Sequence, residues 1–122
     1  MRTIDEVMST TLLTASPSDL VGPVRDTMLD GGVHCVPVVD DDGHPVGIVS
    51  AWDLVEEYAP EEGIANAMTT KVLMLGPTAL VEEAAAVMRD NFVHHVLVVD
   101  EGKVIGVVSS FDLLGELVGA TP

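Results

Sequence analysis

A chain of 122 residues has room for one compact unit or two very small ones, and its 48% of hydrophobic residues and mean hydropathy of +0.40 exclude a disordered chain. Its 20 acidic residues against 5 basic ones leave a net charge of −15 spread along the chain, which repels phosphate backbones and argues against nucleic-acid and membrane partners. No run approaches the ~20 apolar residues of a spanning helix, the segment from Met1 to Thr10 lacks an apolar signal core, and the single cysteine, Cys35, excludes an internal disulfide.

In chain order, the apolar run Leu12 to Ala15 reads as a short strand, and Pro17 with Ser18 after it reads as a helix start with Ser18 as N-cap. Leu20, Val24 and Met28 recur at helical spacing and mark one inward face. Cys35 to Val39 and Val46 to Val49 are apolar, β-branched runs joined by Asp40-Asp41-Asp42-Gly43-His44, the pattern of a hairpin. A helix from Ala51 to Tyr58 follows, then a linker near Ala59 to Gly63 carrying Pro60, two glutamates and a glycine. The series then runs again: a strand from Val72 to Leu75, Pro77 and the N-cap candidate Thr78, and a helix with Leu80, Ala84, Val87 and Met88 facing inward. Strands from Val96 to Val99 and Val104 to Val108 are joined by Asp100-Glu101-Gly102-Lys103, and a last helix runs from Ser110 to Val118.

The recurrence is a duplication. Laying Met8 on Met68 aligns Pro17 with Pro77, Leu20-Val21 with Leu80-Val81, Met28 with Met88, and Val33-His34 with Val93-His94, all at a shift of 60. One extra turn residue in the first copy changes the shift to 59, which aligns Gly47 with Gly106, Val49-Ser50 with Val108-Ser109, and Asp53-Leu54 with Asp112-Leu113. The sequence therefore divides into residues 1–59 and 60–122, each read as strand, helix, strand, strand, helix. Met28 and Met88 fall on the inward helix faces and read as core, and Cys35 reads as a small buried hydrophobe.

The segments Gly47-Ile48-Val49-Ser50-Ala51-Trp52-Asp53 and Gly106-Val107-Val108-Ser109-Ser110-Phe111-Asp112 recur with Val33 to Asp40 and with the openings Met8-Ser9-Thr10 and Met68-Thr69-Thr70. Together they resemble the motifs of the cystathionine β-synthase (CBS) domain family over nearly the whole chain. The resemblance implies an α+β fold, a CBS-domain pair of two β-α-β-β-α repeats packed sheet to sheet with pseudo-twofold symmetry. It also implies two clefts for adenosine ligands such as AMP, ADP, ATP or S-adenosylmethionine.

A strand that runs directly into a helix offers unsatisfied backbone N–H groups and a positive dipole end, and a carboxylate one turn on can accept both hydroxyls of a ribose. By similarity to the family, Asp53 and Asp112 hold ribose and Ser50 and Ser109 lie beside the ribose or phosphate. Adenine lies against Thr11-Leu12 in one copy and Lys71-Val72 in the other, and His34 and His94 fall where some members contact phosphate. An imidazole in that place implies tighter phosphate binding on mild acidification. The same Ser-x-x-Asp spacing is also a capping box, in which the carboxylate only satisfies a backbone donor.

This chain departs from the family where members holding several phosphates carry Arg or Lys, since Cys35 and His95 occupy that position, and Leu97 replaces the proline found at Pro37. With so few cations, AMP, adenosine or the sulfonium-bearing S-adenosylmethionine suits the chain better than ADP or ATP, which need Mg²⁺ or high salt for screening. No cofactor is required. His94 and His95 are adjacent and cannot grip one metal from a strand, paired carboxylates such as Asp41-Asp42 and Glu61-Glu62 read as solvated turns, and nucleophile and phosphate-loop motifs are missing. The expectation is a regulatory sensor that is not an enzyme and acts on a separate effector protein, with a ligand-free interaction scaffold as the alternative. Phe111, Leu113, Leu114, Leu117 and Val118, and in the first copy Trp52, Leu54, Val55 and Tyr58, cover more than one helix face. They point to a homodimer through the helices containing Trp52 and Phe111, with one generous core as the alternative. The acidic surface and lone cysteine suggest the cytoplasm of a salt-tolerant or halophilic prokaryote.

Overall fold

A computed structural model describes residues 2–51, 53–54 and 58–119, the last three of these by backbone only. The chain divides into two compact units, one continuous (Leu13–Val72) and one assembled from Met1–Leu12 and Leu73–Pro122. Each holds a helix, a hairpin and a short preceding strand or bridge, so the α+β class is present, and the full expected order of strand, helix, strand, strand, helix is seen in the second copy.

In the continuous unit, Ser16 to Asp19 form a tight turn: Asp19 N–H donates to Ser16 O at 2.9 Å, and its carboxylate accepts Ser16 N–H at 2.8 Å. Pro17 and Ser18 are the middle of that turn, so Ser18 does not cap the helix. Leu20, in extended conformation, is the N-cap of α1 (Val21–Gly31). The first helical donors are satisfied from the linker instead, Val21 N–H by Glu62 O and Gly22 N–H by Pro60 O, both at 2.8 Å, and Pro23 has no N–H to satisfy. The helix buries Val21, Val24 and Met28 and ends at Gly32 in the left-handed conformation, φ 63°.

Strands β1 (Cys35–Val39) and β2 (Pro45–Ser50) pair antiparallel, with a register shift at Val38/Val39. The expected strand from Leu12 to Ala15 is reduced to a parallel bridge between Ala15 and Val38, because Ala15 alone exchanges both backbone bonds with β1. The other sheet edge is covered by Thr69, which exchanges two bonds with Ile48 at 2.9 and 2.8 Å. A 3₁₀ turn at Ile64–Asn66 drops Ile64, fully buried, into a core of Val21, Val24, Met28, Val36, Val38 and Val49. Of the expected helix from Ala51 to Tyr58, Ala51, Asp53 and Leu54 form a turn, with Asp53 N–H on Ser50 O and Leu54 N–H on Ala51 O; Trp52, Val55, Glu56 and Glu57 lie outside the described residues.

The second unit repeats this plan on residues far apart in sequence. A 3₁₀ turn at Ile4–Glu6 buries Ile4 completely, and Glu6 accepts Thr3 N–H at 2.9 Å. Arg2 O accepts Val81 N–H at 3.0 Å, and Ser9 exchanges two bonds with Val107. Strand β3 (Met74–Leu75) runs parallel to β4 (His95–Asp100), which pairs antiparallel with β5 (Lys103–Ser109). Helix α2 (Val81–Asn91) starts at the N-cap Leu80, whose N–H is accepted by Glu83 at 3.2 Å, so Thr78 sits in the preceding turn as Ser18 does. Ala84 and Met88 join Ile4, Val96, Val98 and Val108 in the core. Helix α3 (Ser110–Gly119) closes the unit, with Leu113 packed on that core.

Candidate ligand sites at two strand-to-helix junctions

Both junctions begin with a glycine that the fold demands. A Cβ at Gly47 would stand 2.6 Å from Met68 Sδ and 3.2 Å from Thr69 O, and one at Gly106 would collide with Met8 Sδ and stand 3.1 Å from Ser9 O. The Met-Ser and Met-Thr segments lie flat across β5 and β2 only because these two residues lack side chains. The first glycine of the Gly-x-x-Ser-x-x-Asp pattern is therefore explained by packing.

In the continuous unit, β2 ends at Ser50 and the chain turns at Ala51, whose N–H donates to His34 O at 2.8 Å. Asp53 Oδ2 accepts Ser50 N–H at 2.8 Å and Ser50 Oγ–H at 3.1 Å, while Asp53 N–H reaches Ser50 Oγ at 3.3 Å. Asp53 Oδ1 accepts the Thr69 hydroxyl at 3.3 Å. Lys71, exposed, and Val72, half-buried, follow Thr69 within this same unit.

The second unit has the matching junction at the start of α3. Ser110 N–H donates to His94 O at 2.8 Å, Asp112 Oδ2 accepts Ser109 N–H at 2.9 Å, and Asp112 N–H donates to Ser109 Oγ at 3.0 Å. Thr11, exposed, and Leu12, half-buried, belong to this unit, two and three residues beyond the paired Ser9. Ser50, Asp53, His34, Lys71 and Val72 thus fall in one unit and Ser109, Asp112, His94, Thr11 and Leu12 in the other, with hydrogen bonds drawing the serine, the aspartate and the histidine carbonyl to each junction. His34 and His94 are exposed and tied to their junctions through their backbone carbonyls, and Ser110 Oγ lies 3.5 Å from His94 Nδ1.

Both carboxylates form reciprocal capping boxes with their serines. The capping geometry fixes each carboxylate, half-buried, at the open end of a strand, where its remaining lone pairs can accept further donors. Thr69 and Ser110 are participants that sequence reasoning left without roles; the signal for Thr69 was its place in the repeated Met-Ser/Thr opening.

Other groups have simpler accounts. Burial pushes the Cys35 thiol up to about 12, with the Asp53 charge adding to it, so this sulfur is a poor nucleophile and a poor metal ligand. Asp40, Asp42 and His44 place ligand atoms within 4.8 Å of one another at the hairpin tip. Asp40 Oδ1 is taken there by the N–H groups of Asp42 and His44, and the His44 N–H leads the backbone bonds that hold its carboxyl below the usual range. A cavity of about 310 Å³ lies between α1 and the Ala51–Leu54 turn, with apolar walls from Met28, Leu29 and Leu54 and with Arg25 and His34 among its lining residues. Among the described residues, no helix is long and apolar enough to cross a membrane.

Two copies of a helix-and-hairpin unit, each holding a capped carboxylate where a strand meets a turn or helix, define a duplicated α+β module. The chain belongs to the CBS domain family, whose model matches residues 4–60 and again 64–119. It is 29% identical over 119 residues to homoserine O-acetyltransferase of Methanosalsum zhilinae, covering 96% of this chain and 24% of that protein. It is 31% identical over 111 residues to inosine-5'-monophosphate dehydrogenase of Methanocaldococcus jannaschii, covering 90% of this chain and 22% of the dehydrogenase. The chain thus spans about a quarter of the length of these curated relatives. Among solved structures, it is similar to the CBS domain pair of protein MJ0100 in complex with 5'-methylthioadenosine and S-adenosyl-L-methionine, with TM-score 0.89 and 25% identity over 100% of this chain and 99% of that one.

Proposed function

We propose that this CBS pair is a regulatory module that binds an adenosine-containing ligand through Asp53 and Asp112 and signals to a separate partner protein. The observation that carries the reading is the duplicated junction, where a carboxylate is fixed by a serine N–H with acceptor capacity to spare, in a chain similar along its whole length to a domain pair that holds two adenosine compounds. Ser50 and Ser109 orient the carboxylates, His34 and His94 flank the junctions, and the segments Thr11-Leu12 and Lys71-Val72 offer backbone edges for a base. The net charge of −15 favours S-adenosylmethionine, whose sulfonium it attracts, and AMP over ADP or ATP without Mg²⁺. The acetyltransferase and dehydrogenase activities belong to relatives about four times longer and are not carried over with a regulatory segment.

Exposed Phe111 and Leu114, 80% and 58% accessible, support a homodimer through the helix holding Phe111; Trp52 lies outside the described residues, as do the side chains of Leu117 and Val118. We place the protein in the cytoplasm of a salt-tolerant host on its charge and its single cysteine. Titration calorimetry with AMP, ATP and S-adenosylmethionine tests the sensor: binding to at least one, weakened tenfold or more by Asp112→Ala or Asp53→Ala, is the expected result. Silence with all three favours a ligand-free interaction scaffold, the reading that the completed capping boxes support.

A further inference from the structure

The two junction carboxylates differ in how much of their accepting capacity is already used. A carboxylate has two oxygens and about four lone-pair sites. Asp53 accepts three hydrogen bonds, from Ser50 N–H, Ser50 Oγ–H and Thr69 Oγ1–H, which leaves room for one more. Among the described residues Asp112 accepts one, from Ser109 N–H, because Ser9 stands where the first unit has Thr69 and its hydroxyl makes no bond to Asp112. A ribose diol brings two donors.

We propose that Asp112 forms the tight diol site of this module and that the Thr69 hydroxyl, by occupying Asp53 Oδ1, makes the Asp53 site the weak one. This rests on the adenosine-ligand reading and adds to it which junction is filled first and which residue decides. A diol arriving at Asp53 must displace the Thr69 or Ser50 hydroxyl, exchanging one charge-assisted bond for another, whereas at Asp112 both hydroxyls add to what is there. The Asp112 junction also has the Ser110 hydroxyl near His94, where the other junction has Ala51. Thr69 is thus a positioning residue that discriminates between the sites without itself needing to touch the ligand.

Calorimetry with AMP, repeated with S-adenosylmethionine, distinguishes the outcomes. The expected result is two affinities about tenfold or more apart, the tighter lost in Asp112→Ala and kept in Asp53→Ala. Thr69→Val, which keeps the shape and removes the donor, brings the weaker site to within about threefold of the tighter one, and 2'-deoxy-AMP loses most affinity at the site that Asp112→Ala removes. Loss of the tighter site in Asp53→Ala with its retention in Asp112→Ala overturns the assignment while leaving the adenosine reading intact, as does a Thr69→Val variant that weakens binding. Absence of heat with both ligands in the folded wild type, checked by circular dichroism, overturns both.

Discussion

Gly32 and Phe92 turn the same corner in the two units. Each follows the first helix of its repeat in the left-handed conformation, at φ 63° and 55°, and glycine holds that conformation without strain while phenylalanine does not. Phe92 is also 92% exposed, so packing against the described residues does little to compensate. The junctions show the same divergence, with Thr69 on one carboxylate and no counterpart on the other among the described residues, and the hairpins place Cys35 and Pro37 where the second copy has His95 and Leu97. The two halves share one architecture, with Ile4 and Ile64, Met28 and Met88, Val36 and Val96, and Val49 and Val108 alike in the interiors, yet they have diverged at corners and at the fully buried pair Pro37 and Leu97.

The largest effect that probes this comparison comes from the shared interior. Ile4 and Ile64 occupy equivalent, fully buried positions, and Ile4→Ala and Ile64→Ala should each cost about 2–5 kcal/mol in urea denaturation. Costs that differ by more than twofold would show that the interiors have diverged further. Next come Gly47→Ala and Gly106→Ala, each forcing its methionine and the adjoining carbonyl away from the strand, with an expected loss of about 1–3 kcal/mol. A neutral result at either site would mean the segment crossing that strand is loosely held.

Smaller effects separate the units. Phe92→Gly should stabilise by about 0.5–1 kcal/mol through relief of the left-handed strain, whereas Gly32→Ala should cost about 1 kcal/mol, both measured as shifts of the denaturation midpoint. The last contrast lies in pH. Cys35 is protonated up to about 12 in the fold but ionises near 9 once unfolded, so the unfolded state releases its proton first and stability declines as pH rises from 9 toward 12. Cys35→Ala should flatten that decline, and iodoacetamide at pH 8 should label wild-type Cys35 quickly only in denaturant.

Much of this was legible in the sequence because the duplication prints each signal twice. The hairpins, the inward methionines and the Ser-x-x-Asp junctions lie where periodicity and turn residues place them, with strand ends extended by a residue or so. The N-caps were misplaced by two residues, since Pro17-Ser18 and Pro77-Thr78 serve equally well in a turn ahead of a helix as at its start, and backbone carbonyls from a remote segment cap α1 instead. The strand from Leu12 to Ala15 shrank to one bridge because an apolar run does not reveal how many of its residues find a partner. Which strand each Met-Ser or Met-Thr segment would cover was not readable at all. The two segments and their target glycines are nearly identical, so local chemistry permits either pairing.

That choice of partner sets an order on how the molecule can be made. The segment from Leu13 to Val72 contains everything its unit needs, and a ribosome can release it ready to collapse. The other unit needs the first dozen residues synthesised together with the last fifty, so Ile4 has nowhere to go until β5 and α2 exist. Met8-Ser9 is also made before its own partner β5, and it closely resembles Met68-Thr69, the segment that covers β2. Closure of the 13–72 unit puts Met68-Thr69 on that edge before the second unit's last strand has been made.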